Sequence, residues 1–144
     1  MLFSQAQGRR VVSTADADTV GLIDGYVIDP TRQQVVALNL KKTAGSGDVL
    51  PWPDLLAFGD DAVTVERSTV VVEADERIAE LSGKHHTILR KQVLTTSGQQ
   101  IGKVQDVDFD PADGRILTLI LDNQVQVAGT NLLGVGSYAV VVRS

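Results

Sequence analysis

The chain contains itself twice, and a repeated chain must fold into two copies of one small unit. Laid over each other without a gap, positions 12–40 and 93–121 agree at seven of 29 places. The identities are Val12/Val93, Thr14/Thr95, Gly21/Gly102, Asp29/Asp110, Pro30/Pro111, Leu38/Leu119 and Leu40/Leu121. They fall on turn residues and on one face of a strand, where accidental likeness would scatter. Beyond Leu40 the spacing drops from 81 to 77: Leu55 matches Leu132, Gly59 matches Gly136, and Ala62-Val63 match Ala139-Val140. The four lost residues correspond to the Thr43–Gly47 loop, a Gly/Ser stretch where a length change costs little.

Each copy reads as short strands with turn punctuation. Val20 to Asp29 is β-branched and aromatic, and Asp29-Pro30 turns the chain into Val35–Leu40. In the second copy the turn is Asp110–Gly114, with Gly114 able to take a left-handed backbone. A third strand spans Asp48 to Trp52, and Ala57–Val65 forms a closing hairpin. Between the copies, Asp75–Gly83 has helix formers, an acidic start and a glycine stop, which predicts about two helical turns. The organisation expected is a first module over 1–66, a connector with a short helix over 67–89, and a second module over 90–144.

The order of these features resembles the PRC-barrel family: a glycine-led strand, Asp-Pro, alternating leucines, Leu50-Pro51-Trp52, and Phe58 through Val65. The resemblance covers nearly the whole chain as tandem copies. It implies an all-β protein of two small barrels related by a pseudo-twofold axis and joined by a short α-helix. The family's cytoplasmic reaction-centre and ribosome-maturation relatives carry a transmembrane helix or another barrel type that this chain lacks, so their specific functions do not transfer. The resemblance also implies docking to other proteins, with no catalytic residue and no cofactor to carry over.

Residue chemistry agrees with a non-enzyme. There is no cysteine, hence no thiolate ligand and no cysteine nucleophile. Asp106, Asp108 and Asp110 alternate as at the start of a calcium loop, but Pro111 and Leu117 stand where that loop needs Gly and Glu. A solvated acidic face is the plain expectation for Asp106, Asp108 and Asp113, with no tight calcium site. His85-His86 are adjacent and diverge, so one metal does not take both. Gly98–Lys103 has the wrong spacing for a phosphate loop and reads as a Ser97-Gly98 turn. The basic pairs Arg9-Arg10, Lys41-Lys42 and Arg90-Lys91 sit on a chain of net charge −5, which makes them solubilising and disfavours nucleic acid.

The first eight residues have no signal-peptide pattern, and no apolar run reaches the ~18 residues of a membrane span. A cytoplasmic location is the expectation that follows. The function expected is that of an adaptor or scaffold for an unidentified protein partner, with a homodimer as one form. The rivals are an RNA- or ribosome-associated factor and a small-ligand binder.

Strand alternation nominates the contact residues. Val36, Leu38 and Leu40, with Leu117, Leu119 and Leu121, should fill the barrels. Val35, Ile116 and Ile120 then lie on outer faces, and a strand apolar on both sides is covered on both. These three are expected to pack against the other module, the connector helix or a second chain. Trp52, held between Pro51 and Pro53 and matched by Gly129, completes the candidate interface.

Overall fold

A computed structural model of the chain describes residues 1–82 and 87–144. The first half holds six strands: β1 (Arg10–Ser13), β2 (Thr19–Asp29), β3 (Gln34–Lys41), β4 (Val49–Pro51), β5 (Leu55–Phe58) and β6 (Ala62–Val65). The second half repeats them as β7 (Gln92–Thr95), β8 (Gln100–Phe109), β9 (Ile116–Leu121), β10 (Gln126–Ala128), β11 (Leu132–Val135) and β12 (Val140–Val142). Two short helices, α1 (Phe3–Ala6) and α2 (Glu76–Ser82), lead into the halves. Asp75 caps α2, its side chain accepting the Ile78 N–H at 2.8 Å.

The strand orders are β4-β3-β2-β1-β6-β5 and β10-β9-β8-β7-β12-β11, with β1–β6 and β12–β7 the parallel pairs. The two six-stranded sheets in tandem bear out the expected all-β architecture of two small barrel-type modules. Among the described residues no ladder joins β4 to β5 or β10 to β11, so each sheet stays open along those edges.

Both halves bulge at the same places. Register slips between Ile23 and Gly25 and between Val27 and Ile28 in the β2–β3 pair recur, 81 residues on, between Val104 and Asp106 and between Asp108 and Phe109. In the second of these bulges the residues left without a partner are Val36 and Leu117. A bulge puts two successive residues opposite one and shifts the alternation of faces. Upstream of it the faces are therefore the reverse of simple alternation. Val35 and Ile116 turn inward to join Leu38, Leu40, Leu119 and Leu121 in one core, while Val36 is half-buried and Leu117 is 38% exposed. The expectation that Val36 and Leu117 fill the interior is corrected by this bulge.

The structural repeat also departs from the gapless overlay at its start. Val11 pairs with Gly21 and Val63, and Val93 with Gly102 and Val140, so Val11 and Val93 correspond, 82 apart. The β1–β2 turn is one residue longer than the β7–β8 turn. The identities Val12/Val93 and Thr14/Thr95 are therefore one place out of register, whereas those from Gly21 onward hold.

Asp29 and Asp110 explain their own recurrence. Each carboxylate accepts the N–H two residues on, Thr31 at 3.1 Å and Ala112 at 2.9 Å, and so fixes the turn into the next strand.

The halves meet on an axis. Gln34 and Arg115, equivalent positions, form an antiparallel bridge. The Val35 N–H donates to the Gly114 carbonyl at 2.8 Å, and the Ile116 N–H to the Gln33 carbonyl at 2.9 Å. These are the same bond with the halves exchanged, which is what a local twofold axis requires. The helices are exchanged likewise. α1 precedes β1 but lies on the other half: Leu2 bridges Asp108, and the Ser4 N–H and hydroxyl both donate to Asp106. α2 heads toward β7 but covers the outer face of the first half, Ile78 and Leu81 packing on Val27, Ala37 and Val49. The buried Asp29 takes Arg77 of α2 as its ion-pair partner.

Candidate interaction surfaces

Three of the four nominated contact residues come together at the seam. Val35 and Ile116 are buried there beside the bridge, and half-buried Trp52 packs against the same core. Trp52 stacks on Phe58 with ring centres 5.7 Å apart and meets Phe109 of the second half edge-on at 6.3 Å. Phe3 stacks on Tyr26 at 3.8 Å and lies 5.4 Å from Phe109. Four of the chain's other five aromatic side chains thus surround Phe109, which supplies the aromatic contact between the halves. Val35 and Ile116 donate the main-chain bonds between the halves, while their side chains turn into the shared core. Ile120 does not reach the seam: it lies half-buried on β9, opposite Asp106 on one side and Gln126 on the other.

The seam is symmetric in backbone and unequal in side chains. Trp52 lies against Gly114, where a Cβ would stand 3.1 Å from the indole and 2.7 Å from the Val35 carbonyl oxygen. At the equivalent contact Gly129 replaces Trp52 and Gln33 replaces Gly114. The Gln33 amide fills that space and donates to the carbonyls of Thr130 at 2.7 Å and Leu132 at 3.0 Å. Gln33 keeps the left-handed backbone of Gly114, with φ of 56° against 79°.

The other singled-out residues are accounted for individually. Asp106 and Asp108 do not form a free acidic face: Asp106 holds Ser4, and Asp108 accepts the Met1 amino group at 2.9 Å. Asp113 accepts the Arg115 N–H. Arg9 lies over the Phe58 ring, 5.8 Å from its centre, and donates to the carbonyls of Gly59 and Gln5. That makes it a packing residue as much as a solubilising one. Gly98 sits in a turn with φ of 83° between β7 and β8, as its spacing suggested. His85 and His86 lie outside the described residues. Among the described residues no three His, Asp or Glu side chains are grouped to hold a metal. Burial pushes the Tyr26 hydroxyl far above the ordinary phenol range, and it donates to the Phe3 carbonyl at 2.9 Å.

What remains outward-facing differs between the halves. The hairpin of β11 and β12 carries Tyr138, 74% exposed, and Leu133, 39% exposed. Tyr138 borders a shallow groove of about 490 Å³ with Leu94, Val135, Ala139 and Val141. In the first half the corresponding positions are Val12, Phe58, Ala62 and Thr64, and Asp61 replaces Tyr138. An exposed aromatic over apolar neighbours is therefore peculiar to the second half.

Residues 84–136 match the family model of the PRC-barrel domain. The chain contains a PRC-barrel domain. The match to the PRC-barrel domain spans β7 to β11 and stops in the turn before β12. The first half repeats the strand order and bulges of this PRC-barrel half. No curated protein matches the sequence. None of the described helices is long and apolar enough to cross a membrane.

Proposed function

We propose that the protein is a non-enzymatic adaptor that holds a protein partner through the β11–β12 hairpin of its PRC-barrel half. The supporting observation is Tyr138. Its ring is the one aromatic side chain outside the seam cluster, and it stands in solvent beside Leu94, Ala139 and Val141. Tyrosine gives a large, rigid contact with a polar tip, and such residues are over-represented among those that carry binding energy. The first half folds the same way without an aromatic at this place, so the fold does not need one there. The partner expected is a protein that brings an apolar side chain into the groove.

The test is affinity capture from native extract with three baits: the wild-type chain, Tyr138→Ser and Leu56→Ser. Leu56 is 59% exposed and corresponds to Leu133, so its replacement controls for the loss of surface leucine. A partner retained by wild type and Leu56→Ser but reduced about tenfold with Tyr138→Ser, the loss of ~1.4 kcal/mol, supports the reading. Equal capture by all three baits overturns it. Capture abolished by nuclease and falling steeply with salt overturns it in favour of RNA association.

A further inference from the structure

The turn after β2 and the segment that follows β4 enclose a small cleft beside the seam. It holds about 140 Å³ and is lined by Arg32, Gln34, Val35, Val36, Trp52 and Pro53. A space of roughly that size takes one body as large as a benzene ring. The indole, the Pro53 ring and the two valines make its walls largely apolar. Gln34 is tied to the seam, its amide donating to the Asp113 carbonyl at 2.5 Å.

Two polar groups of the lining stay unmatched. Arg32 is exposed, and it is the only ionisable residue that lines the cleft. Among the described residues its guanidinium has no carboxylate partner, and the indole N–H of half-buried Trp52 has no acceptor. Both groups can only donate. Two donors of this kind, one of them cationic, match an anion with two acceptor oxygens. A single positive charge among apolar walls balances one negative charge. That fits a carboxylate, and leaves the second charge of a phosphate without a partner. The fold itself calls for neither residue. In the second half Asp113 stands at the place of Arg32 and Gly129 at that of Trp52, within the same strand order.

We propose that this cleft binds a carboxylate carried on a small apolar body. Arg32 and the Trp52 N–H hold the carboxylate, and the body lies against Val36 and Pro53. A free short-chain acid and the C-terminal residue of a protein chain both present that chemistry. The site is separate from the Tyr138 groove and does not rest on the adaptor reading.

Trp52 is the chain's only tryptophan, so indole signals report on this cleft alone. The full chain is titrated with isovalerate, with the peptide acetyl-Ala-Ala-Leu bearing a free C-terminus, and with the amide of each. The acids should change the tryptophan emission saturably and move the indole N–H resonance downfield, as a new hydrogen bond to that proton does. Whichever acid binds more tightly identifies the source of the carboxylate. Amidation should weaken binding at least about tenfold, ~1.4 kcal/mol, and Arg32→Gln should do the same. Arg32 is on the surface, so the circular dichroism and melting temperature of Arg32→Gln should match wild type. Tyr138→Ser should bind the acids as wild type does. No saturable change with either acid, equal binding of acid and amide, an unmoved indole resonance, or binding indifferent to Arg32→Gln overturns the proposal and leaves Tyr138-dependent capture standing on its own. Loss of acid binding in Tyr138→Ser also overturns it, assigning the ligand to the other surface.

Discussion

Gly8 and Arg90 occupy the same place in the two halves and share a left-handed backbone, with φ of 78° and 72°. Each N–H closes the same bond, Gly8 to the Ile23 carbonyl at 2.9 Å and Arg90 to the Val104 carbonyl at 2.7 Å. The fold thus demands this conformation, and only one half meets it with the residue that adopts it freely. Gly8→Ala meets no steric obstacle, so it should cost ~1 kcal/mol through backbone strain alone. Arg90→Gly should be neutral or stabilising by up to ~1 kcal/mol, because relief of strain outweighs the added freedom of the unfolded chain. Urea midpoints of the two variants check this. Loss of more than ~1 kcal/mol on Arg90→Gly would contradict the conformational assignment.

Substitution at the seam glycines should be far more costly. A Cβ at Gly129 would stand 1.9 Å from the Ile116 carbonyl oxygen, inside any contact the backbone tolerates. Gly129→Ala should therefore destabilise by several kcal/mol, the size of effect seen for overpacking at ~1–3 kcal/mol with a backbone shift added. Gly134→Ala is the control: nothing lies within 4 Å of its Cβ. Thermal melts of both variants, with Gly134→Ala close to wild type, test how closely Gly129 packs on β9.

The bulge at Leu117 gives a paired prediction. Ile116→Asp places a carboxylate in the shared core, and should cost upward of ~4 kcal/mol or prevent folding. Leu117→Asp, one residue on, should cost about 1 kcal/mol or less, because that position is 38% exposed and a carboxylate there reaches water. If the two are equally harmful, the outward turn of Leu117 is wrong.

Tyr26 makes the fold sensitive to alkali. The unfolded phenol ionises near pH ~10, while the buried hydroxyl in the folded state stays protonated well beyond that. Above pH ~10 the unfolded chain then binds fewer protons than the folded one, so stability is full below that pH and falls as pH rises through it. Tyr26→Phe should flatten this decline. At neutral pH it should cost ~1 kcal/mol through loss of the bond to the Phe3 carbonyl. Denaturation midpoints from pH 7 to 11 for both proteins provide the measurement.

Most of the strand plan is visible in the residues because turn chemistry is local. Asp29-Pro30 and Asp110-Pro111 announce their turns, and the leucines spaced by two mark the core face of β3 and β9. Period-two alternation, however, assumes an unbroken ladder. Nothing in Val35-Val36 or Ile116-Leu117 reveals which residue the bulge expels, since both choices are apolar. The same holds for the seam. Val35, Ile116 and Trp52 are recognisable as residues needing cover, but the cover comes from a pairing of distant backbone that no local pattern encodes. Helix α1 escapes pattern reading altogether, being four residues long and held by contacts to Tyr26, Asp106 and Phe109.

The unequal filling of the seam has a consequence for how such a surface can change. In a dimer of identical halves every substitution occurs twice, once on each side of the axis. A tryptophan at the position of Trp52 would then also stand at the position of Gly129, against the Ile116 carbonyl. Joining both halves in one chain releases them from that duty of sameness. A bulky residue can be tried on one side while its counterpart stays bare, and Gln33 can reach across where no ring intrudes. The tether between β6 and β7 thus does more than raise local concentration: it lets one contact be altered without its mirror image.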